Sequence, residues 1–248
     1  MNNREMEILD IVTNSGKIEV AKLADILGIS SVTTRKALDA LETRGLLVRE
    51  HGYAIASSKD DINNRLAINY ATKQKIAIKA AELVRSGETI IIESGSSCTL
   101  LAEIIASNRP NVTIITNSAF IAHYVKDKPY AKVILLGGEY QNESQVMVGS
   151  LVAKCVEGFF VDKIFIGTDG FSESAGFTGK DLPRAEAVQS MAKNATNVIV
   201  LTDSSKFAQQ GVVSLLPLDK ISCVITDDGI TKETNKYLEK ENIQVIKA

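Results

Sequence analysis

Thr89 to Thr99, TIIIESGSSCT, reads as a strand that runs into a small-residue turn and then a helix, and everything after residue 70 is arranged around it. The β-formers Thr89 to Ile92 make the continuous run that a strand buried on both faces requires. The side chains then shrink. Glu93-Ser94-Gly95-Ser96-Ser97-Cys98-Thr99 offers hydroxyls and a glycine that lets a ligand approach the backbone, before an apolar helix begins at Leu100-Leu101. Unpaired amides at a helix N-terminus carry partial positive charge, so a phosphate or carboxylate is the natural occupant of such a turn. The same residues also fit an ordinary strand-to-helix connection with a serine N-cap, and no GxxxxGK[ST] is present.

Outward from this stretch the pattern alternates. Thr72 to Arg85 is an amphipathic helix that leads into the strand. Strand-like runs follow at Val112 to Thr116, Lys132 to Leu136, Lys163 to Gly167, Asn197 to Thr202, Cys223 to Thr226 and Ile243 to Ile246. Helical stretches lie between most of them, at Leu100 to Ala106, Ala119 to Val125, Val148 to Glu157, Leu182 to Asn194 and Thr231 to Glu241. Alternation of this kind predicts a mainly parallel α/β sheet with helices on both faces, which binds ligands outside the carboxyl ends of its strands. Small polar clusters follow the predicted strands at Thr116-Asn117-Ser118, Gly137-Gly138-Glu139, Gly167-Thr168-Asp169-Gly170 and Thr202-Asp203-Ser204-Ser205-Lys206. With Ser94 to Thr99 they argue for one shared site. Lys206 is the cation among them and suits a phosphate as a point charge.

Residues 1–57 read as a separate small module. Met6, Ile8, Leu9 and Val12 fall at helical spacing, and Asn14-Ser15-Gly16 stops that helix. Val20, Leu23, Ala24 and Leu27 form one face of a second helix that ends at Gly28, where positive φ is needed. Ser30 then caps a third helix running to about Arg44. Helix, tight turn, helix with a small residue at the crossing is the packing condition of a helix-turn-helix. Stepping 100° per residue along the third helix from Thr34 turns Leu38 and Leu41 inward. Val32, Arg35, Lys36 and Asp39 are left outward, with Ser31 at the leading end. Short side chains followed by two cations suit a recognition helix, whose N-terminal residues reach base edges while Arg and Lys meet guanine or phosphate. Leu46 to Ile55 then reads as two short β stretches around a Glu-His-Gly turn, a wing whose Arg49 and His51 either touch the sugar-phosphate backbone or form a solvated hairpin. This module carries seven cations against eight anions, so binding by one copy is expected to be weak and salt-sensitive. Residues 58–71, SSKDDINNRLAINY, read as an interdomain connection that becomes helical.

Composition excludes several classes. The chain has 248 residues, a net charge of -2 and a pI of about 5.8, so bulk basicity advertises no nucleic-acid partner. No apolar run approaches the roughly 20 residues of a spanning helix, and the polar start lacks a signal-peptide core, so a cytoplasmic location is expected. Cys98, Cys155 and Cys223, with His51 and His123, show no metal-ligand spacing; neither disulfide, metal nor cofactor is expected. Cys98 suits a small residue packed beside the turn better than a reactive thiol.

In this order of motifs the chain resembles the DeoR family of bacterial sugar-metabolism regulators. The N-terminal match is VTTRKALDALETRGLLVREHG, Val32 to Gly52. The family pattern is roughly V-T-I-R-R-D-L, then G-L-L, then H-G-G-A. This chain departs from it at Thr34, Lys36, Ala37 and Tyr53, and Lys36 lacks the bidentate fork of an arginine. ESGSSCT, TNSAF, GGEY, FIGTDGF, GFT, DSSKF and ITDDG occur in the order of the family's sensor domain across Thr72 to Asp228. The resemblance implies a winged helix-turn-helix with Ser31, Val32, Thr33, Arg35, Lys36, Arg49 and His51 on double-stranded operator DNA. It also implies a sensor domain over residues 72–248 that looks like the fold of ribose-5-phosphate isomerase and the CoA transferases and binds a phosphorylated sugar or related metabolite. Ser94, Gly95, Ser96, Ser97, Cys98 and Thr99 would hold the phosphate, and Asn117, Gly138, Asp169, Thr178 and Lys206 would line the sugar pocket. Glu93 and Cys98 stand where aspartate and threonine are usual.

The expected function is therefore a transcriptional regulator of a carbohydrate operon, most often a repressor, acting as a homo-oligomer, dimer or tetramer. A working sugar-phosphate isomerase with an accessory helix-turn-helix is the alternative, for which Asp169, Asp181 and Glu186 are nominal bases. A helix-turn-helix used only for protein contact is a third reading.

Overall fold

The computed structural model describes residues 2–56 and 60–248. The chain divides into two compact units, Met1–Ala71 and Thr72–Ala248. The end of the small module expected at residue 57, and the first residues of the connection after it, lie outside the described residues.

In the first unit, α1 (Asn3–Ser15) starts at a reciprocal cap. The Asn2 side chain accepts the Glu5 N–H at 2.9 Å, and the Glu5 carboxylate accepts the Asn2 N–H at 3.0 Å. There follow β1 (Lys17–Glu19), α2 (Val20–Leu27), α3 (Ser31–Thr43), β2 (Val48–Glu50), β3 (Tyr53–Ile55) and α4 (Ile62–Ala67). The strands form an antiparallel sheet in the order β1-β3-β2. Ile8, Leu9, Val12, Leu23, Leu38 and Leu41 are buried together, each contributing about 1.5–3 kcal/mol by leaving water. Residues expected as a connection supply α4, which packs on α1 with Ile62 and Leu66 buried.

The second unit opens with α5 (Tyr70–Ala81), which begins two residues before the division, then β4 (Thr89–Ile92), α6 (Ser96–Asn108), β5 (Thr113–Thr116), α7 (Ala119–Val125) and β6 (Val133–Leu135). A hairpin of β7 (Glu139–Gln141) and β8 (Val146–Val148) precedes α8 (Ser150–Val156) and β9 (Val161–Ile166). Next come β10 (Gly170–Ser172), β11 (Gly176–Gly179), α9 (Leu182–Ala192), β12 (Ala195–Leu201), a 3-10 turn at Ser204–Ala208 and β13 (Val213–Leu216). The chain closes with β14 (Cys223–Thr226), α10 (Lys232–Lys240) and β15 (Gln244–Lys247).

Seven of these strands make one sheet in the order β15-β14-β12-β9-β4-β5-β6, and every pairing in it is parallel. This is the mainly parallel α/β architecture that the alternation predicts. Its interior strands read as nearly continuous apolar runs, Ile90 to Ile92 and Ile164 to Ile166, because both faces are covered. The hairpin β7–β8 and a second sheet, β10-β11-β13, were not expected. Strands of three or four residues carry too little alternation to be distinguished from loops.

Candidate functional site

Two surfaces collect the residues singled out above. In the first unit, Gly28 (φ 62°) turns the chain after α2 and donates its N–H back to Ala24 and Asp25, and Ile29 donates to Ala24 at 3.1 Å. Ser30 then caps α3 by accepting the Thr33 N–H at 3.1 Å, and the Ser30 and Thr33 hydroxyls lie 2.8 Å apart. That short, rigid corner fixes which side of α3 faces out. Ser31, Val32, Arg35 and Lys36 are exposed, while Thr34, Leu38 and Leu41 are fully buried. Thr34 keeps its methyl in the core by donating its hydroxyl to the Ser30 carbonyl at 3.1 Å. Thr33 is half-buried and committed to the cap.

The wing is a two-residue hairpin with His51 (φ 48°) and Gly52 (φ 88°) at its tip, the positive-φ pair that matches the twist of short strands. His51 is exposed. Arg49 instead turns toward α3, where its guanidinium pairs with Asp39 and its N–H donates to the Glu42 carboxylate at 2.8 Å. The Asp39 side chain is 60% exposed, so the pair is weakly held and a DNA phosphate could compete for Arg49. Lys17 lies with its ammonium 4.6 Å over the Tyr53 ring, adding a cation to the wing. β1 was invisible in the sequence, and Lys17 was missed with it.

The second surface lies at the carboxyl edge of the large sheet. Chain order runs outward from β4 to β5 and β6, then returns to the other side of β4 with β9 and continues through β12, β14 and β15. The reversal between β4 and β9 is a topological switch point, where connections leave in opposite directions and open a crevice. Glu93-Ser94-Gly95 ends one wall and Gly167-Thr168-Asp169 the other. A Cβ on Gly95 would stand 3.2 Å from the Gly167 Cα, so glycine is needed for the two turns to approach. The buried Glu93 carboxylate joins them, accepting the N–H of Gly95 at 2.9 Å and of Gly167 at 3.1 Å, and the Ser94 hydroxyl at 2.6 Å. Sequence reasoning gave Glu93 no role, because the second amide it binds is 74 residues away.

α6 starts at Ser96 rather than Leu100, so Ser96 to Thr99 form its first turn. The Thr99 N–H is the first to reach an acceptor in the helix pattern, the Gly95 carbonyl at 2.9 Å. Ser94, Cys98 and Thr99 use their side chains on the framework: Cys98 Sγ lies 3.6 Å from the Phe165 carbonyl and the Thr99 hydroxyl donates to Gly95 at 3.1 Å. The groups in position to meet an anion are the amides and hydroxyls of Ser96 and Ser97.

Parallel strands carry the other expected residues to the same edge. Asn117, after β5, is buried, donates its amide to the Met147 carbonyl at 2.9 Å and leaves its Oδ1 without a hydrogen-bond partner among the described residues. Gly138, after β6, admits β8 against its backbone: a Cβ there would stand 2.6 Å from the Val148 carbonyl. Asp169 accepts the Lys180 N–H at 3.0 Å, and the Thr178 hydroxyl accepts the Gly211 N–H at 2.8 Å. Lys206, in the turn after β12, is half-buried and enters none of the ion pairs among the described residues. The hairpin is tied to this region by Gln141, whose amide donates to Asp181 Oδ1 at 3.2 Å; Asp181 also caps α9 and meets Arg184 Nε at 3.4 Å. Gln141 followed a Gly-Gly loop signal and carried no recognisable pattern.

Asp227, after β14, holds the Lys206 turn in place by accepting the Ser204 N–H and hydroxyl, both at 2.7 Å, and the Gly229 N–H at 3.1 Å. Burial alone would raise its pKa, but these hydrogen bonds bring it below the ordinary aspartate range. A carboxyl whose folded pKa is depressed contributes stability that is complete above its unfolded pKa and lost as pH falls through the folded value. Asp227→Asn is therefore expected to lower Tm at neutral pH and to shrink the fall in Tm between about pH 5 and pH 3. Calorimetry of both proteins across that window checks this. Parallel Tm curves would remove the Asp227 contribution.

Comparison with known proteins gives matches over both units. Residues 4–60 match the DeoR-like helix-turn-helix domain, and residues 68–228 match the DeoR C-terminal sensor domain. The lactose phosphotransferase system repressor of Lactococcus lactis is 32% identical over 234 residues, 92% of this chain and 91% of that protein. The HTH-type transcriptional regulator GolR of Listeria innocua is 30% identical over 247 residues, 98% of this chain and 96% of that protein. Among solved structures, ribose 5-phosphate isomerase A of Methanocaldococcus jannaschii aligns at 22% identity and a TM-score of 0.41, covering 56% of this chain and 55% of that one.

Proposed function

Because the chain belongs to the DeoR family of DNA-binding transcriptional regulators, we propose that it represses a carbohydrate-metabolism operon in the cytoplasm and that a phosphorylated sugar in the second unit sets its affinity for operator DNA. Double-stranded DNA meets α3 and the wing of the module ending near residue 57, through Ser31, Val32, Thr33, Arg35, Lys36, Arg49 and His51. Residues 58–71 connect it to the sensor at 72–248. The phosphate sits over the first turn of α6, with the sugar toward Asn117, Gly138, Asp169, Thr178 and Lys206. Two copies are needed, because a module with balanced charge makes too few phosphate contacts alone. The sugar acts by binding the operator-competent and incompetent arrangements unequally.

The observation that carries this reading is the β4/β9 switch point, with the first turn of α6 after β4 and the half-buried Lys206 after β12 on the same carboxyl edge. An isomerase would need a carboxylate free to take a proton there. Asp169 and Asp181 are instead engaged by backbone amides, and Glu186 is exposed on α9, which supports binding without turnover. No described helix is long and apolar enough to cross a membrane.

The test is fluorescence anisotropy of the DNA upstream of the protein's own operon, at fixed and stated salt. Sequence-specific binding that one phosphorylated sugar alters, and its unphosphorylated form does not, is the expected result. Absence of specific binding, with conversion of a sugar phosphate to product, would transfer the assignment to the enzyme.

A further inference from the structure

A cavity of about 370 Å³ opens on one face of the large sheet near the amino ends of its strands, at the opposite edge from the β4/β9 switch point. Parallel register builds its floor. Lys163 of β9 lies beside Asn197 of β12; two residues on, and so on the same face, Ile199 lies beside Cys223 of β14, which lies beside Gln244 of β15. The segment after α5 forms the wall, with Arg85. Faces of interior parallel strands are ordinarily apolar and roofed by helices. Here the face is open and carries an ammonium and two amides.

Three cations around this cavity, Lys79, Lys163 and Arg85, meet two carboxylates, Glu82 and Glu88, which leaves a net positive charge. Lys163 donates to both oxygens of Glu88, at 2.8 and 2.9 Å, and Glu82 pairs with Lys79 at 2.8 Å. The Arg85 guanidinium forms no direct ion pair or hydrogen bond among the described residues, and its charge is offset only in part by Glu88, which also holds Lys163. Burial pushes the Cys223 thiol up to about 11, so it stays neutral and adds no negative charge to the floor. The space is in the range of small-ligand sites, and a planar guanidinium matches an oxyanion bidentately. The Asn197 amide donates to the Asp162 carbonyl at 3.1 Å, which leaves its Oδ1, with the Gln244 and Ser222 side chains, to meet hydroxyls.

We propose that this cavity is a second small-molecule site, which takes a hydroxylated carboxylate through Arg85, with its hydroxyls on Asn197, Ser222 and Gln244.

The test is titration of the full chain with gluconate, followed through the side-chain amide signals of Asn197 and Gln244 by nuclear magnetic resonance, with acetate as the carboxylate that lacks hydroxyls. Lys206→Ala weakens the carboxyl-edge site, so a shift caused by binding there would weaken with it. A saturating shift of both amides is expected in wild type and in Lys206→Ala, weakened about tenfold in Arg85→Ala and less in Arg85→Lys, which keeps the charge without the fork. Arg85 is exposed, so its variants should fold. Shifts that never saturate, that acetate reproduces equally, or that Arg85→Ala leaves unchanged would overturn the proposal.

Discussion

Arg35→Ala is expected to lose roughly 5- to 150-fold in affinity for operator DNA, the loss of about 1–3 kcal/mol that follows removal of a bidentate guanidinium–guanine contact. The second unit should keep its fold and its effector affinity. Arg35 is exposed on α3 one helical turn after Ser31, and no ion pair among the described residues engages it. It is thus free to bind DNA without first breaking a protein contact, unlike Arg49. The salt dependence separates its two possible roles. If Arg35 reads a base edge, the slope of log affinity against log salt stays the same and discrimination between operator and unrelated DNA narrows. If it holds a phosphate, the slope falls by about 0.9 per copy and both DNAs weaken together. Arg35→Lys keeps the charge without the fork, so it should restore phosphate binding but not base reading. Operator affinity unchanged in Arg35→Ala would remove α3 as the recognition helix.

Lys206→Ala should raise the sugar-phosphate concentration needed for half-maximal response by about tenfold or more, since a hydrogen bond to a charged group is worth roughly 1.5–3 kcal/mol. DNA affinity without effector should not change. β12 stands two strands from β4, about 10 Å at ordinary strand spacing, and a lysine side chain spans much of that gap toward an anion over α6. The turn bearing Lys206 is held independently by Asp203, which accepts the Ser205 N–H, and by Asp227, so truncating the side chain leaves the loop intact. Anisotropy titrations of the variant against the same effector provide the measurement. Equal potency in Lys206→Ala would place the anion elsewhere on the carboxyl edge.

Local periodicity accounts for what could be read in advance. The exposed face of α3 follows from 100° per residue, and the stop at Gly28 from the need for positive φ, so both were legible in Val20 to Arg44. The parallel sheet was legible because strands covered on both faces must be apolar throughout, as Ile90 to Ile92 and Val198 to Leu201 are. Helix starts were less exact: α6 begins at Ser96, because Gly95 takes the cap position and serines are tolerated in a first turn. The small sheet and the β7–β8 hairpin left no trace, since their strands are short and owe their place to contacts rather than pattern.

The sequence by itself determined a helix-turn-helix with a cationic outward face, a parallel α/β sheet, and small polar turns at the ends of its strands, because each of these depends on residues within a few positions of one another. Only the tertiary structure decided that β9 returns beside β4 to make the switch point, that Glu93 clamps the amides of Gly95 and Gly167, that Arg49 turns to Asp39, and that four strands gather an open polar face beside Arg85. The reason is range. Strand order and charge pairing are set by total burial and electrostatics among residues distant in the chain, and such contacts impose no period on the sequence for a reader to find.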